Sequence, residues 1–321
     1  MSIHNGEFLF IKSVKDGIPN RDPLNDSDAR RLFPEEDGRI SLSDVSVKRD
    51  TRDFVLDKHP DGGEDQKNFI FVQQKANENG KLLGRKGLAE RIAEQTGRQE
   101  DAKSNMKALL TEHCFDVRIF GVVYSVKPKF HLTGPVQLGW GHSMHPVDTQ
   151  YVQGTVVMPS SEGVDSQGED QGKTQGTIWT TYTLPFAVFM MPGVINEKNA
   201  EHTGMTEEDQ ELLLQALWQG TQHRQARGRG QQQPLLLVHV EYKDPFYRIG
   251  YLEDLVSLLP EPDTWRQDDK RPASLRDIEI DVTELMETIE QQQEKIHRCR
   301  IWKHPSLILK GAQEKFLQES W

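Results

Sequence analysis

Residues 116 to 148 restrict the fold more than any other stretch, because one short span changes character completely along its length. Its first part, Asp116 to Val126, is apolar and rich in aromatic and β-branched residues, which predicts a buried strand over 116–126. Its second part carries Gly134, Gly139 and Gly141 among Thr133, Gln137, Trp140, His142, Ser143 and His145. Such a loop offers short hydrogen-bonding side chains, bare backbone and one large aromatic, but no acid–base pair. That chemistry suits holding an extended polyanion better than cutting one.

A polyanionic partner has to be reconciled with a formal net charge of -11 over 321 residues. Net charge governs solubility, whereas a polyanion needs only a local basic track. The charges are unevenly spread. Between Lys81 and Lys107 seven basic residues stand against four acidic ones, a balance of +3, while Glu197 to Glu211 holds six acids and one lysine, a balance of -5. Opposite-signed segments of this kind also suit head-to-tail docking of two copies. With 35% hydrophobic residues and a mean hydropathy of -0.68, much of the chain must be surface, insertion or interface. Cys114 and Cys299 lie far apart and match no metal-ligand spacing, which predicts a reducing compartment and no structural disulfide. The longest apolar run, Leu184 to Ile195, is interrupted by Pro185, Pro192 and Gly193, and Phe8 to Ile11 is too short for a signal segment. A cytoplasmic protein without membrane contact is the expectation.

Along the chain, residues 7–14 predict an opening strand, and Pro19 to Pro23 a turn. Residues 39–56 predict a strand with a basic side, since Val45 and Val47 alternate with Ser46 and Lys48. In that strand Lys48 and Arg52 project together and Arg49 points away. The polar, Gly-containing segment 57–67 predicts a mobile loop, and 87–96 a helix with Leu88 and Ile92 on one face and Gly97 ending it. A strand near 151–158 precedes a polar stretch, 159–177, that reads as a long flexible hairpin. Thr206 and Asp209 form a capping-box pair at the start of the clearest helix, whose buried stripe is Leu213, Leu214, Leu217 and Trp218. Residues 235–242 and 275–282 predict further strands, and 283–298 a charged helix. Strands and helices interleaved without regular βα spacing indicate an α+β fold with insertions.

Catalytic and cofactor motifs are poorly matched. His142 and His145 are three apart, among Gly and Pro, and lack the Glu and spacing of a helical zinc site. Ser143 has no strand–turn–helix nucleophile context. Gly80 to Gly87 is Gly-rich and basic but lacks the Lys-Ser/Thr ending of an NTPase loop, and Gly84-Arg-Lys-Gly87 matches only the bare GXXG of a KH domain. Arg118 to Tyr124 loosely matches an RNP1 strand, with Phe120 and Tyr124 on one face, although a packed core has the same pattern. No cofactor, metal or catalytic residue is therefore expected.

Taken in order, the fragments are more specific. Ser43-Asp-Val-Ser-Val-Lys-Arg-Asp-Thr-Arg-Asp-Phe-Val55, Asp116-Val-Arg-Ile-Phe-Gly121, Thr133-Gly-Pro-Val-Gln137 and Trp140-Gly-His-Ser-Met-His-Pro-Val147 follow one another. Thr183-Leu-Pro-Phe-Ala-Val-Phe189, Thr203-Gly-Met-Thr-Glu-Glu-Asp209 and Arg224-Gln-Ala-Arg-Gly228 come next. This series resembles the backbone subunit of type I CRISPR surveillance complexes (Cascade), within the RAMP superfamily and nearest to the I-B and I-C branches. The resemblance covers most of residues 7 to 243.

The resemblance implies an RNA-recognition-motif-like (ferredoxin-like) palm with a C-terminal helical extension over 1–56, 116–152 and 178–321, a helical fingers insertion over 57–115, and a protruding β-hairpin thumb over 153–177. It implies a non-catalytic subunit that binds CRISPR guide RNA in several copies as a helical filament and presents it to a target DNA strand, beside other Cascade subunits. Lys48, Arg49 and Arg52 match the basic motif at the guide phosphates, and Thr133, Gly134, Gln137, Trp140, His142 and Ser143 the loop beside the RNA. Met158 and Trp179 are the apolar residues at the base of the thumb. Two positions depart from the family pattern. Arg21, which with Asn20 belongs to the implied RNA-binding set, replaces a Gly in the N-terminal turn, and His142 replaces an Arg before Ser143. The alternative within the same superfamily is an endoribonuclease using Asp22 or Asp44 with His142 or His145.

Overall fold

The computed structural model describes residues 3–22, 24, 28–31, 38–156, 178–226, 228–267, 270–319 and 321. The chain begins with β1 (Gly6–Gly17), β2 (Arg30–Arg31), β3 (Ile40–Leu42) and helix α1 (Asp44–Lys58). Four helices follow, α2 (Arg85–Gln95), α3 (Gln99–Ser104), α4 (Met106–His113) and α5 (Phe115–Phe120). Short strands come next: β4 (Gly121–Tyr124), β5 (Phe130–Thr133), β6 (Val136–Leu138), β7 (Gly141–Ser143) and β8 (Gln150–Thr155). The long β9 (Ile178–Ile195) leads to α6 (Glu197–Thr203), α7 (Glu207–His223) and β10 (Gln231–Tyr242). The C-terminal part adds β11 (Ser257–Leu259), β12 (Glu279–Asp281), α8 (Thr283–Gln291), β13 (Ile296–Lys303) and β14 (Ile308–Lys310).

β1 has no polar alternation in Phe8-Leu-Phe-Ile11, and the reason is that both faces of its sheet are covered. Among the described residues the main sheet has nine strands, in the order β13-β10-β1-β9-β7-β3-β2, with β6 and β8 also paired to β9. Its neighbours run antiparallel. Phe8, Phe10 and Val14 face α1 and α7, while Leu9 and Ile11 face the C-terminal elements. β9 divides the same way, Ala187, Phe189 and Met191 to one side and Phe186 and Val188 to the other. A third apolar cluster joins α2 and α4 to the β4–β5 hairpin through Phe69, Phe71, Leu109, Tyr124 and Leu132.

Four segments differ from their sequence expectations. Residues 44–58 are a helix, not a strand: the buried positions follow helical spacing, Val47, Thr51 and Val55 four apart with Ser46 and Asp50 beside them, while Val45 is 64% exposed. Ion pairs Asp44–Lys48 and Arg49–Asp53 at i, i+4 support that helix. The strand expected over 116–126 is split: α5 runs to Phe120, and Gly121, at φ 76°, turns the chain into β4. A Cβ there would lie 2.1 Å from the Leu132 carbonyl oxygen, so only glycine fits. The helix over 283–298 stops at Gln291, and β13 pairs with β10 from Ile296 onward. Segment 57–67, expected as a mobile loop, is a tight turn in which Gly62 packs against Phe69. The 159–177 hairpin and Met158 lie outside the described residues.

Candidate nucleic-acid interface

The predicted residues come from segments more than a hundred positions apart, yet side-chain contacts join them. Asn20 accepts a hydrogen bond from Ser43 Oγ at 3.3 Å, and Ser43 is the N-cap of α1. Two residues earlier, Ser41 Oγ lies 3.1 Å from His142 Nδ1, across the β3–β7 pairing. One turn into α1, Lys48 and Arg52 both lie over the Phe120 ring, each 5.3 Å from its centroid. Gly134 lies directly under the Phe120–Gly121 backbone, and Gln137 Nε2 donates to the Gly134 carbonyl at 2.9 Å. Thr133 and Gln137 are exposed. Trp140 is 47% exposed, with the Arg30 guanidinium 5.9 Å from its ring.

The basic residues of α1 are already partnered. Lys48 Nζ is 2.8 Å from Asp44, Arg49 Nε 2.7 Å from Asp53, and Arg52 Nε 2.8 Å from Asp116. The Arg52 pair is structural, since the buried Asp116 also accepts the Phe71 and Val72 amides at 2.8 and 3.0 Å. Arg49 is the most exposed of the three, at 40% of its side chain. Arg21 Nη2 donates to Thr181 Oγ1 at 2.7 Å, to Gly228 O at 3.1 Å and to Tyr182 O at 3.3 Å, so its side chain bridges the N-terminal turn, β9 and the loop after α7. It borders a cleft of about 570 Å³ shared with Gly17, Trp179 and Thr183.

Two residues of the Gly-rich loop point inward. Ser143 is 1% exposed; its hydroxyl accepts from the Ile40 amide at 3.0 Å and donates to His145 O at 2.8 Å. His145 is stacked on Trp265 with centroids 3.4 Å apart. Its Nδ1 donates to Pro146 O at 2.7 Å and its Nε2 accepts from the Val188 amide at 3.0 Å. Burial pushes its imidazole down to about 3, so it is neutral and fully engaged. Ser143, predicted to touch RNA, instead braces the loop, because it lies at the β3–β7 junction rather than on its rim. The RNP1-like reading also changes: Phe120 ends a helix, and Tyr124 is buried between Phe71 and Phe130. Residue types cannot separate a bracing Ser or His from a contacting one.

Sequence reasoning missed a buried charge centre on α1. Asp50 is 1% exposed and touches three cations: Lys12 Nζ at 3.3 Å, Arg224 Nη1 at 2.8 Å and Arg229 Nη2 at 2.9 Å. Lys12 occupies a core position of β1, next to a bulge opposite Pro234, where β10 has no amide to donate. Burial lowers the Lys12 ammonium to about 8 in spite of Asp50. A lysine inside an otherwise apolar strand was the available signal.

Comparisons with known proteins agree with this architecture. A CRISPR-associated protein from Haloferax volcanii, Cas7, is 26% identical over 325 residues, covering 94% of this chain and 87% of that protein. A chain of a solved CRISPR RNA-guided surveillance complex, captured pre-nicking, superposes with a TM-score of 0.54 at 12% identity, covering 96% of both chains. The family described as CRISPR-associated protein Cas7 matches residues 4–283. The chain belongs to that family.

Proposed function

We propose that this protein is a non-catalytic, guide-RNA-binding backbone subunit of a type I Cascade complex of the I-B or I-C kind. Several copies lie along one CRISPR RNA, beside other Cascade subunits, and hold it for pairing with a target DNA strand. The observation that carries the reading is the continuous strip from Arg21 and Asn20 through Ser43 to His142, with Lys48, Gln137 and Trp140 alongside, inside a fold shared with a chain of a surveillance complex. In this reading β1, α1, the β6–β8 segment, β9, α7 and β10 form the palm in strand–helix–strand–strand–helix–strand order, which supports the RNA-recognition-motif-like description. The fingers occupy 57–115 and the thumb 153–177. With both sheet faces covered, RNA follows the strip rather than stacking on the sheet. A backbone-gripping site leaves bases free to pair, so pairing supplies the specificity.

The test is RNA affinity against salt. For a single strand, each phosphate contact contributes about 0.7 to the log–log slope. Lys48→Ala with Arg49→Ala removes charge without opening the Asp116 tie, and is expected to weaken binding and flatten the slope by about 1.4, the share of two contacts. Unchanged affinity and slope in that variant would show that RNA runs elsewhere. The endoribonuclease alternative predicts Mg²⁺-dependent cutting of complementary RNA that Asp44→Ala abolishes. We expect no cutting.

A further inference from the structure

The centre around Asp50 does more than neutralise buried charge. One carboxylate faces Lys12, Arg224 and Arg229, so positive charge is in surplus; among the described residues the one further acid that joins is Asp53, 3.3 Å from Arg224 Nε. Burying ion pairs is an expensive way to gain stability, and apolar side chains of similar volume serve it as well or better. What the centre does provide is a chain of fixed backbone positions. Arg229 Nη1 donates to Pro19 O at 3.0 Å, beside the Ser46 hydroxyl, which donates to the same carbonyl at 3.3 Å. The Gly228 carbonyl accepts both the Ile18 amide at 2.9 Å and Arg21 Nη2 at 3.1 Å. Lys12 Nζ donates to Gln232 Oε1 at 2.9 Å, and Gln232 Nε2 donates to Arg229 O at 3.3 Å, closing the ring onto β10. The loop is pressed flat on the end of β1, since a Cβ at Gly230 would lie 2.2 Å from Lys15 O.

We propose that Asp50, which reaches neither solvent nor the strip, is the positioning residue of the RNA interface. It fixes Arg224 and Arg229, and through Arg229 the backbone of 18–22 and 228–230, so that Asn20 and Arg21 are presented to a phosphate backbone. The inference rests on the RNA-binding reading above.

Charge and positioning predict opposite signs, which makes the test sharp. Asp50→Asn keeps the shape and one acceptor oxygen but makes the centre more positive. If the centre acts only as positive charge, RNA binds more tightly and with a steeper salt slope. If Asp50 positions, binding weakens despite the added charge. Arg229→Lys leaves every charge in place and removes only the planar fork that joins Asp50 to Pro19. The full chain is titrated with fluorescein-labelled oligouridylate over a range of salt, with circular dichroism recorded for each variant. The expected result is native dichroism with affinity reduced about tenfold or more in both variants, and a salt slope lowered by about 0.7, the share of one lost single-strand contact. Should Asp50→Asn fail to fold, Arg229→Lys decides alone. Wild-type affinity in Arg229→Lys, or tighter binding by folded Asp50→Asn, overturns the proposal while leaving RNA binding intact. A folded wild-type chain that does not bind oligouridylate overturns the RNA-binding reading and this inference with it.

Discussion

Lys12 shows how far a single residue can depart from what its type implies. It stands in line with Phe8, Phe10 and Val14, where an apolar side chain is the cheaper occupant, and burial lowers its ammonium to about 8. The ordinary value is 10.5, so between about pH 8 and 10.5 the unfolded chain binds more protons than the folded one. Stability from this group is therefore complete above the unfolded value and lost as pH falls through 8. Relative to Lys12→Met, the wild type should gain stability on going from pH 8 to 10, by up to about 3 kcal/mol at roughly 1.4 kcal/mol per unit. Urea unfolding of both proteins at the two pH values measures it, and a constant difference would mean that Lys12 titrates normally. The lysine itself was visible in the sequence. Its partners were not, since Asp50, Arg224 and Arg229 lie 38 to 217 positions away and no local pattern connects them. The strip was legible in its residue types, but the sorting of Ser143 inward and Gln137 outward depends on which strand edge each meets.

Among the elements, α7 was legible because its signals are local: a capping box, acids in the first turn and a leucine stripe. Helix α1 was misread because Val45 and Val47 suggest alternation, whereas the buried series passes through Thr51, a residue that a polarity scan treats as surface. α5, six residues long, is too short for any periodicity to reveal. The start of α7 also carries unequal loads. Thr206 only caps, so Thr206→Ala should cost about 1 kcal/mol. Asp209 both completes the cap and holds the buried Arg118, at 2.9 Å to Nε and 2.7 Å to Nη2. Asp209→Ala leaves that guanidinium unpaired and should cost about 3–5 kcal/mol. Chemical denaturation of the two variants ranks them, and equal losses would mean that Arg118 finds another partner.

The molecule as a whole is two apolar layers on one sheet, with a third cluster tied on through Asp116. That carboxylate holds the Phe71 and Val72 amides on one side and Arg52 of α1 on the other. Asp116→Asn should therefore speed hydrogen exchange at Phe71 and Val72 while leaving β1 and β10 protected, a local opening rather than a global one. If protection falls equally in both places, the third cluster and the sheet unfold as one unit. None of the described helices is long and apolar enough to cross a membrane.

β9 extends beyond the sheet that holds it. From Leu184 onward it is clamped to β1, but from Ile178 to Thr183 its partner is β8, with Arg21 gripping it at Thr181 and Tyr182. Mechanically it is a cantilever, rooted in its pairing with β1 and carried toward residue 178 by β8. A push near residue 178 has no glycine to bend at before Gly193, so it is delivered to the root, past the same arginine that lies at the proposed phosphate track.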